Sequence, residues 1–102
     1  IRGGVKIAPE ELDTALSQLP EALEAAVCAY KDDIMGERIC AVVVPKPGAS
    51  ITLDLVRDHF AKQGFAIFKR PERLLIVSLL PRNSVGKVVR PDLVKLCEAQ
   101  HG

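Results

Sequence analysis

The run Ile39-Cys40-Ala41-Val42-Val43-Val44 constrains the fold more than any other stretch of this chain. It is unbroken, apolar and rich in β-branched side chains, which favours a strand. A strand with one face in water alternates apolar and polar residues. This one does not alternate, so it is expected to be covered on both faces or nearly so. Such cover needs further elements on two sides, and the flanking sequence supplies them.

Upstream, Ala25 to Tyr30 reads as a strand, and Lys31-Asp32-Asp33-Ile34-Met35-Gly36-Glu37 as the turn leading into a second strand from Arg38 to Pro45. The two are expected to pair as an antiparallel hairpin. Before them, Arg2-Gly3-Gly4-Val5-Lys6-Ile7 reads as a glycine turn entering a short extended segment. Pro9-Glu10-Glu11 opens a helix, because proline suits a first turn and acids suit its positive end. Leu12, Ala15, Leu16 and Leu19 follow helical spacing, and Pro20 stops the helix.

Downstream, Pro45-Lys46-Pro47-Gly48-Ala49-Ser50 is a loop. Thr52 caps the next helix. Leu53, Val56 and Phe60 make its buried stripe, and Gly64 ends it. Phe65 to Pro71 is irregular, and Leu74 to Leu79 is a third strand. Pro91 starts a last helix with Leu93, Val94, Leu96 and Cys97 on its inner face. The order β-α-β-β-α-β-α with a small sheet is an α+β domain. No repeat or internal boundary interrupts residues 1–102, so one domain is expected.

Of the 102 residues, 48% are apolar, enough for a real core, and the net charge of +1 argues against a broad nucleic-acid-binding face. No apolar run approaches the ~20 residues of a membrane span, and no signal-peptide pattern opens the chain. It begins at Ile1 without a methionine and is read as a piece of something longer. The three cysteines, Cys28, Cys40 and Cys97, are odd in number and not closely spaced. That argues against a disulfide framework or a metal site; they are expected to be small core residues in a reducing compartment. His59 and His101 have no ligand-like or triad-like company and are expected at the surface.

The segment Leu80-Pro81-Arg82-Asn83-Ser84-Val85-Gly86-Lys87-Val88-Val89-Arg90 is a polar, flexible stretch between the third strand and the last helix. Lys87 stands at its tip, directly after Gly86. At the other end of the chain stands Arg2-Gly3-Gly4-Val5-Lys6-Ile7-Ala8-Pro9-Glu10-Glu11-Leu12. Between them lie Gly36-Glu37, before the apolar strand, and Phe68-Lys69-Arg70-Pro71. In this order and spacing, and over essentially the whole chain, these segments resemble the C-terminal domain of the adenylate-forming enzymes. That superfamily includes acyl-CoA synthetases, nonribosomal peptide synthetase adenylation domains and luciferases. The match is most similar to benzoate-type and medium-chain acyl-CoA ligases. The alternative for an α+β domain of this size is a free-standing binding or interaction module without catalytic role.

The resemblance implies a mobile lid with a three-stranded sheet and flanking helices, hinged to a large N-terminal domain that binds ATP and the carboxylic acid. It also implies two half-reactions. First, a carboxylate attacks the α-phosphate of MgATP, releasing pyrophosphate and leaving an acyl-adenylate. Two anions meet there, and a cation between them stabilises the charge of the transition state. Lys87 matches the adenylation lysine, a point charge on a long stem. Then the lid rotates and a pantetheine thiol attacks the adenylate, giving a thioester and AMP. Gly3 and Gly4 match the turn that lines the pantetheine tunnel, where missing side chains let backbone approach closely.

Phe68 and Arg70 resemble the segment that holds the nucleotide end of coenzyme A, an aromatic face for adenine and a guanidinium for phosphate. Two residues depart from that pattern. Glu72 stands where a basic residue would help, and Met35 stands where some such ligases have an aromatic. The Arg-Gly-Gly-x-Lys form of the turn also resembles stand-alone aryl-acid adenylating enzymes, which deliver the acyl group to a carrier protein. The implied cofactors of the full-length enzyme are ATP, Mg2+ and coenzyme A, with none held by residues 1–102 alone and the isolated domain inactive. The implied partners are its own N-terminal domain and a lysine acetyltransferase acting on Lys87. The implied location is the cytoplasm.

Overall fold

The computed structural model describes residues 9–32 and 36–101. In order they form α1 (Pro9–Ser17), β1 (Ala22–Asp32), β2 (Gly36–Pro45), α2 (Leu53–Lys62), a short 3-10 turn (Ile67–Lys69), β3 (Arg73–Ile76) and α3 (Arg90–His101). The sheet runs β1-β2-β3 with β2 in the middle. β1 pairs with β2 antiparallel, as the sequence predicts, and β3 joins β2 parallel after the crossover through α2. The short extended segment expected at Arg2–Ile7 lies outside the described residues.

The apolar run on β2 is buried on both faces. Successive side chains of a strand point to opposite sides. Ile39, Ala41 and Val43 meet Leu12, Ala15 and Leu16 of α1 together with Val56 and Phe60 of α2. Cys40, Val42 and Val44 meet Leu93 and Cys97 of α3, with Ala26, Cys28, Tyr30 and Leu75. One strand thus serves two cores, and no position of the run from Ile39 to Val44 was free to be polar. Phe60, wholly buried, fixes α2 to its face and stacks tilted against Phe65 with ring centroids 5.1 Å apart.

The helix ends follow local chemistry. At the end of α1, residue 20 would bond the Leu16 carbonyl if the helix continued. Proline has no N–H, and the Leu19 amide takes that carbonyl instead at 3.0 Å. Thr52 caps α2, its hydroxyl accepting from the Leu55 amide at 3.1 Å. The helix ends before Gly64, which adopts φ +89°, a left-handed conformation that glycine tolerates.

Several details differ from the sequence reading: β2 begins at Gly36 rather than Arg38, and Leu53 is only half-buried on α2, whose buried residues are Val56 and Phe60. β1 is longer than Ala25–Tyr30, because the backbone ladder continues through polar residues to Asp32 opposite Gly36. β3 is shorter than Leu74–Leu79. Its last pairing is Ile76 with Val43, and in that register Leu79 would fall beyond the end of β2 at Pro45; Leu79 is exposed. On α3, Leu93 and Cys97 share the inner face, while Leu96 is rotated away from them around the helix and is exposed. His59 is half-buried rather than a surface residue, its Nε2 2.8 Å from the Ala15 carbonyl, and so ties α2 to α1.

The three cysteines are core residues, as expected, and they share one core. Cys28 and Cys40 face each other across β1 and β2, and both meet Cys97. All three are free thiols. The hydrogen bond to Cys28, and then burial, push the Cys40 thiol well above the ordinary range.

Candidate functional site

The segment carrying Lys87 is a closed hairpin rather than an irregular loop. Arg82 and Val88 form an antiparallel bridge. The Val89 amide bonds the Pro81 carbonyl at 3.0 Å, and the Asn83 amide bonds the Lys87 carbonyl at 2.9 Å. Asn83 is the organiser. Its side-chain oxygen accepts from the amides of Val85 and Lys87, each at 3.0 Å, and its carbonyl accepts from Gly86 at 3.0 Å. Asparagine favours such turns because its short amide mimics the backbone. Gly86 takes φ +86°, the left-handed region that suits glycine.

Both hydrogen-bonding groups of the Lys87 backbone are therefore held by Asn83, while its side chain is exposed. Among the described residues the Lys87 ammonium has no hydrogen bond or ion pair. The result is a cation with a fixed root and an uncommitted tip, presented at the apex of a turn.

Two arginines tie this hairpin to the body of the domain. Arg82 reaches Glu24 on β1, with 2.5 Å between Nη2 and Oε1. Arg90, at the start of α3, pairs with Asp13 of α1 and donates to the Val27 carbonyl at 2.7 Å. Asp13 also accepts from the Val27 amide at 2.8 Å. β1 is an edge of the described sheet, and an edge leaves N–H and C=O groups without a strand partner. At Val27 the Asp13–Arg90 pair takes both groups in place of a neighbouring strand. Neither Asn83 nor the Arg82–Glu24 and Asp13–Arg90 pairs were assigned roles from sequence. Only the Asn-Ser-Val-Gly turn composition carried a local signal.

Arg70 stands at the exit of the 3-10 turn after α2, among residues of α2 rather than of the Lys87 hairpin. It is half-buried, and its Nε donates to the Phe65 carbonyl at 3.0 Å. Among the described residues the rest of its guanidinium has no hydrogen-bond or ion-pair partner. It lines a shallow groove with Asp54, Leu55, Arg57, Asp58 and Ala61 of α2. Arg57 donates to the Pro71 carbonyl at 2.8 Å, fixing the chain just beyond Arg70. Glu72 is turned to a structural role, paired with Arg38 on β2.

The structure does not join Lys87 to Arg70: they lie on separate turns, with no contact between them. The backbone of Phe68 lies in the 3-10 turn, but its side chain is outside the described residues, as are Gly3, Gly4 and Met35. Among the described residues no group of three or more His, Cys, Asp or Glu side chains is placed to hold a metal ion. No described helix is long and apolar enough to cross a membrane.

A three-stranded mixed sheet with a helix pair on one face and a helix on the other defines an α+β domain, and a hydrogen-bonded glycine turn presents a lysine from it. Residues 11–87 match the family described as the AMP-binding enzyme C-terminal domain. The chain belongs to that family and is a C-terminal domain of an adenylate-forming enzyme. It is 42% identical over 92 residues to a Streptomyces protein named salicylyl-CoA synthase / salicylate adenylyltransferase, covering 90% of this chain and 17% of that protein. It is 36% identical over 100 residues to the medium-chain fatty-acid–CoA ligase of Escherichia coli K12, covering 93% of this chain and 18% of that one. Among solved structures, apo MatB from Rhodopseudomonas palustris superposes with a TM-score of 0.87 at 32% identity, over 98% of this chain and 20% of that chain. The chain thus spans about a fifth or less of the proteins it matches.

Proposed function

We propose that this domain is the mobile lid of an AMP-forming acid–thiol ligase, and that Lys87 is its adenylation lysine. The observation that carries the reading is the Lys87 turn: backbone pinned on both sides, ammonium exposed and uncommitted. A lid that must deliver a charge into a site on another domain needs this combination. A loose root would spread the charge over many positions, and a paired tip would have to break a bond on arrival. The large domain that binds ATP, Mg2+ and the acid belongs, on this reading, to the rest of the protein, and the 102-residue chain is inactive by itself.

The acyl acceptor is coenzyme A on this proposal. Arg70 is anchored through Nε and turns the rest of its guanidinium toward a groove, a disposition suited to a phosphate. Of the acids near it, Glu72 is engaged by Arg38 and Asp58 by Lys62, while Arg57 and Arg70 set two cations against Asp54 in the groove. Gly3, Gly4 and Phe68 complete the pantetheine and adenine contacts. That Lys87 and Arg70 stand apart accords with two half-reactions using different faces of one rotating lid. The second reading is transfer to a carrier protein; the Streptomyces relative is named both salicylyl-CoA synthase and salicylate adenylyltransferase, and its name does not choose between the acceptors. The same relative, with the medium-chain ligase, points to an aryl or medium-chain acid as substrate.

The test is coenzyme A binding to the full-length enzyme trapped as its adenylate, comparing wild type with Arg70→Ala. Weaker binding and slower CoA-thioester formation in the variant support the proposal. No binding in either protein, with acyl transfer to a carrier protein instead, selects the second reading. The free Lys87 ammonium is also a substrate for a lysine acetyltransferase on this proposal, in the cytoplasm; acetylation removes the charge that adenylation needs. Peptide mapping that finds modification elsewhere, with activity kept, would sink that part.

A further inference from the structure

We propose that Arg82 is a positioning residue for Lys87 and that Glu24 on β1 holds it in place. This rests on the reading of Lys87 as the adenylation lysine. The peptide linking Gly86 to Lys87 is gripped on both of its polar atoms. Its N–H donates to Asn83 Oδ1 at 3.0 Å. Its carbonyl, that of Gly86, accepts from Arg82 Nη1 at 2.9 Å. Rotation of this peptide plane swings the Lys87 side chain, and either rotation breaks both bonds.

The other arm of the same guanidinium reaches Glu24 Oε1 at 2.5 Å. Glu24 is on β1, opposite Val44 in the ladder. One planar fork therefore references the Gly86–Lys87 peptide to the sheet. Arginine suits this because its donors are fixed relative to one another; a lysine at the same place is a rotating point charge and cannot hold two acceptors in one geometry.

The exposure of the pair argues against a stabilising purpose. The Arg82 and Glu24 side chains are 41% and 33% exposed, and ion pairs so accessible to water add little to folding. The sequence around Arg82 gives no packing reason for it either, since the hairpin closes through Asn83 and backbone. What the fork does fix is the orientation of the lysine root.

The experiment uses the full-length enzyme and follows the two half-reactions separately. Arg82→Ala is expected to lower kcat for adenylate formation about tenfold, with KM for ATP and for the acid unchanged, as for a misplaced group that acts in the transition state. Thioester formation from supplied adenylate, and the thermal unfolding midpoint, should stay at wild-type values. Glu24→Ala should act in the same direction, and the double variant should be no worse than Arg82→Ala, because both remove one fork. Arg82→Lys should fail to restore the rate. Unchanged adenylation in Arg82→Ala, alongside its loss in Lys87→Ala, overturns the proposal. So does a loss in Arg82→Ala that Glu24→Ala does not share, which makes Arg82 an independent charge. Adenylation untouched by Lys87→Ala would overturn the reading of Lys87, and this proposal with it.

Discussion

Asp13→Ala should destabilise this domain by about 2–3 kcal/mol, and the structure says why. The carboxylate accepts the Val27 amide at 2.8 Å and pairs with Arg90, whose guanidinium also holds the Val27 carbonyl at 2.7 Å. Removing it strips the edge strand of one partner and leaves Arg90 beside apolar core. A hydrogen bond to a charged group is worth about 1.5–3 kcal/mol. Breaking a fully buried pair costs about 3–5 kcal/mol. Here the side chains of Arg90 and Asp13 retain 28% and 24% exposure, so water compensates part of that loss. The lower half of the combined range follows, equivalent to a fall of about 10–20 °C in unfolding midpoint for a domain of this size. The assay is urea unfolding of wild type, Asp13→Ala, Arg90→Ala and the double variant. The cycle should give a coupling energy of about 1–2 kcal/mol, since the residues share one network. Additive losses, with coupling below about 0.3 kcal/mol, would refute the claim that the pair acts as a unit.

Gly86 should discriminate among replacements by backbone rather than by space. At φ +86° nothing lies within 4 Å of an added Cβ. Gly86→Asn should therefore be better tolerated than Gly86→Val, by about 1 kcal/mol, since asparagine visits the left-handed region and a β-branched residue avoids it; urea unfolding of the two variants decides it. The three thiols should not react with an aromatic disulfide reagent in the native domain and should react together on unfolding, because all are buried; a rapidly titrating thiol in folded protein would contradict the shared core. Stability should also decline at alkaline pH. The folded Cys40 thiol is raised above its ordinary value of 9.0, so above that pH the unfolded chain loses a proton that the native state keeps. Replacing Cys40 with alanine should flatten that decline, and an unchanged slope in unfolding measured across alkaline pH would exclude Cys40 as its source.

The central strand, the antiparallel hairpin, the Thr52 cap and the Gly64 stop were legible because each is encoded locally, by periodicity or by one residue's backbone chemistry. The Lys87 turn was legible as the segment from Pro81 to Arg90. The ion pairs that hold that turn were not. Arg82 and Glu24 are 58 residues apart, and Arg90 and Asp13 are 77 apart. Single charged residues on a helix or strand read as solvated face until the fold brings their partners to them. His59 was misread for a related reason: its acceptor is a carbonyl on another helix, and no sequence pattern marks a carbonyl. The cysteine cluster lay between these cases. The hairpin register puts Cys28 opposite Cys40, but Cys97 arrives from the far end of the chain. β3 is shorter than its apolar run because a strand's length is set by its pairing, which ends at Ile76, and not by its own apolar residues.

The measurement that tests the account most directly is the separation of half-reactions in the full-length enzyme carrying Lys87→Ala. Adenylate formation is followed by acid-dependent exchange of pyrophosphate into ATP, and thioester formation is followed from chemically supplied acyl-adenylate. Exchange should fall by about 10²–10³ or more, the scale on which preorganised charges act on developing anions, while the thioester step is largely kept. Equal loss of both steps, or loss of neither, would contradict it.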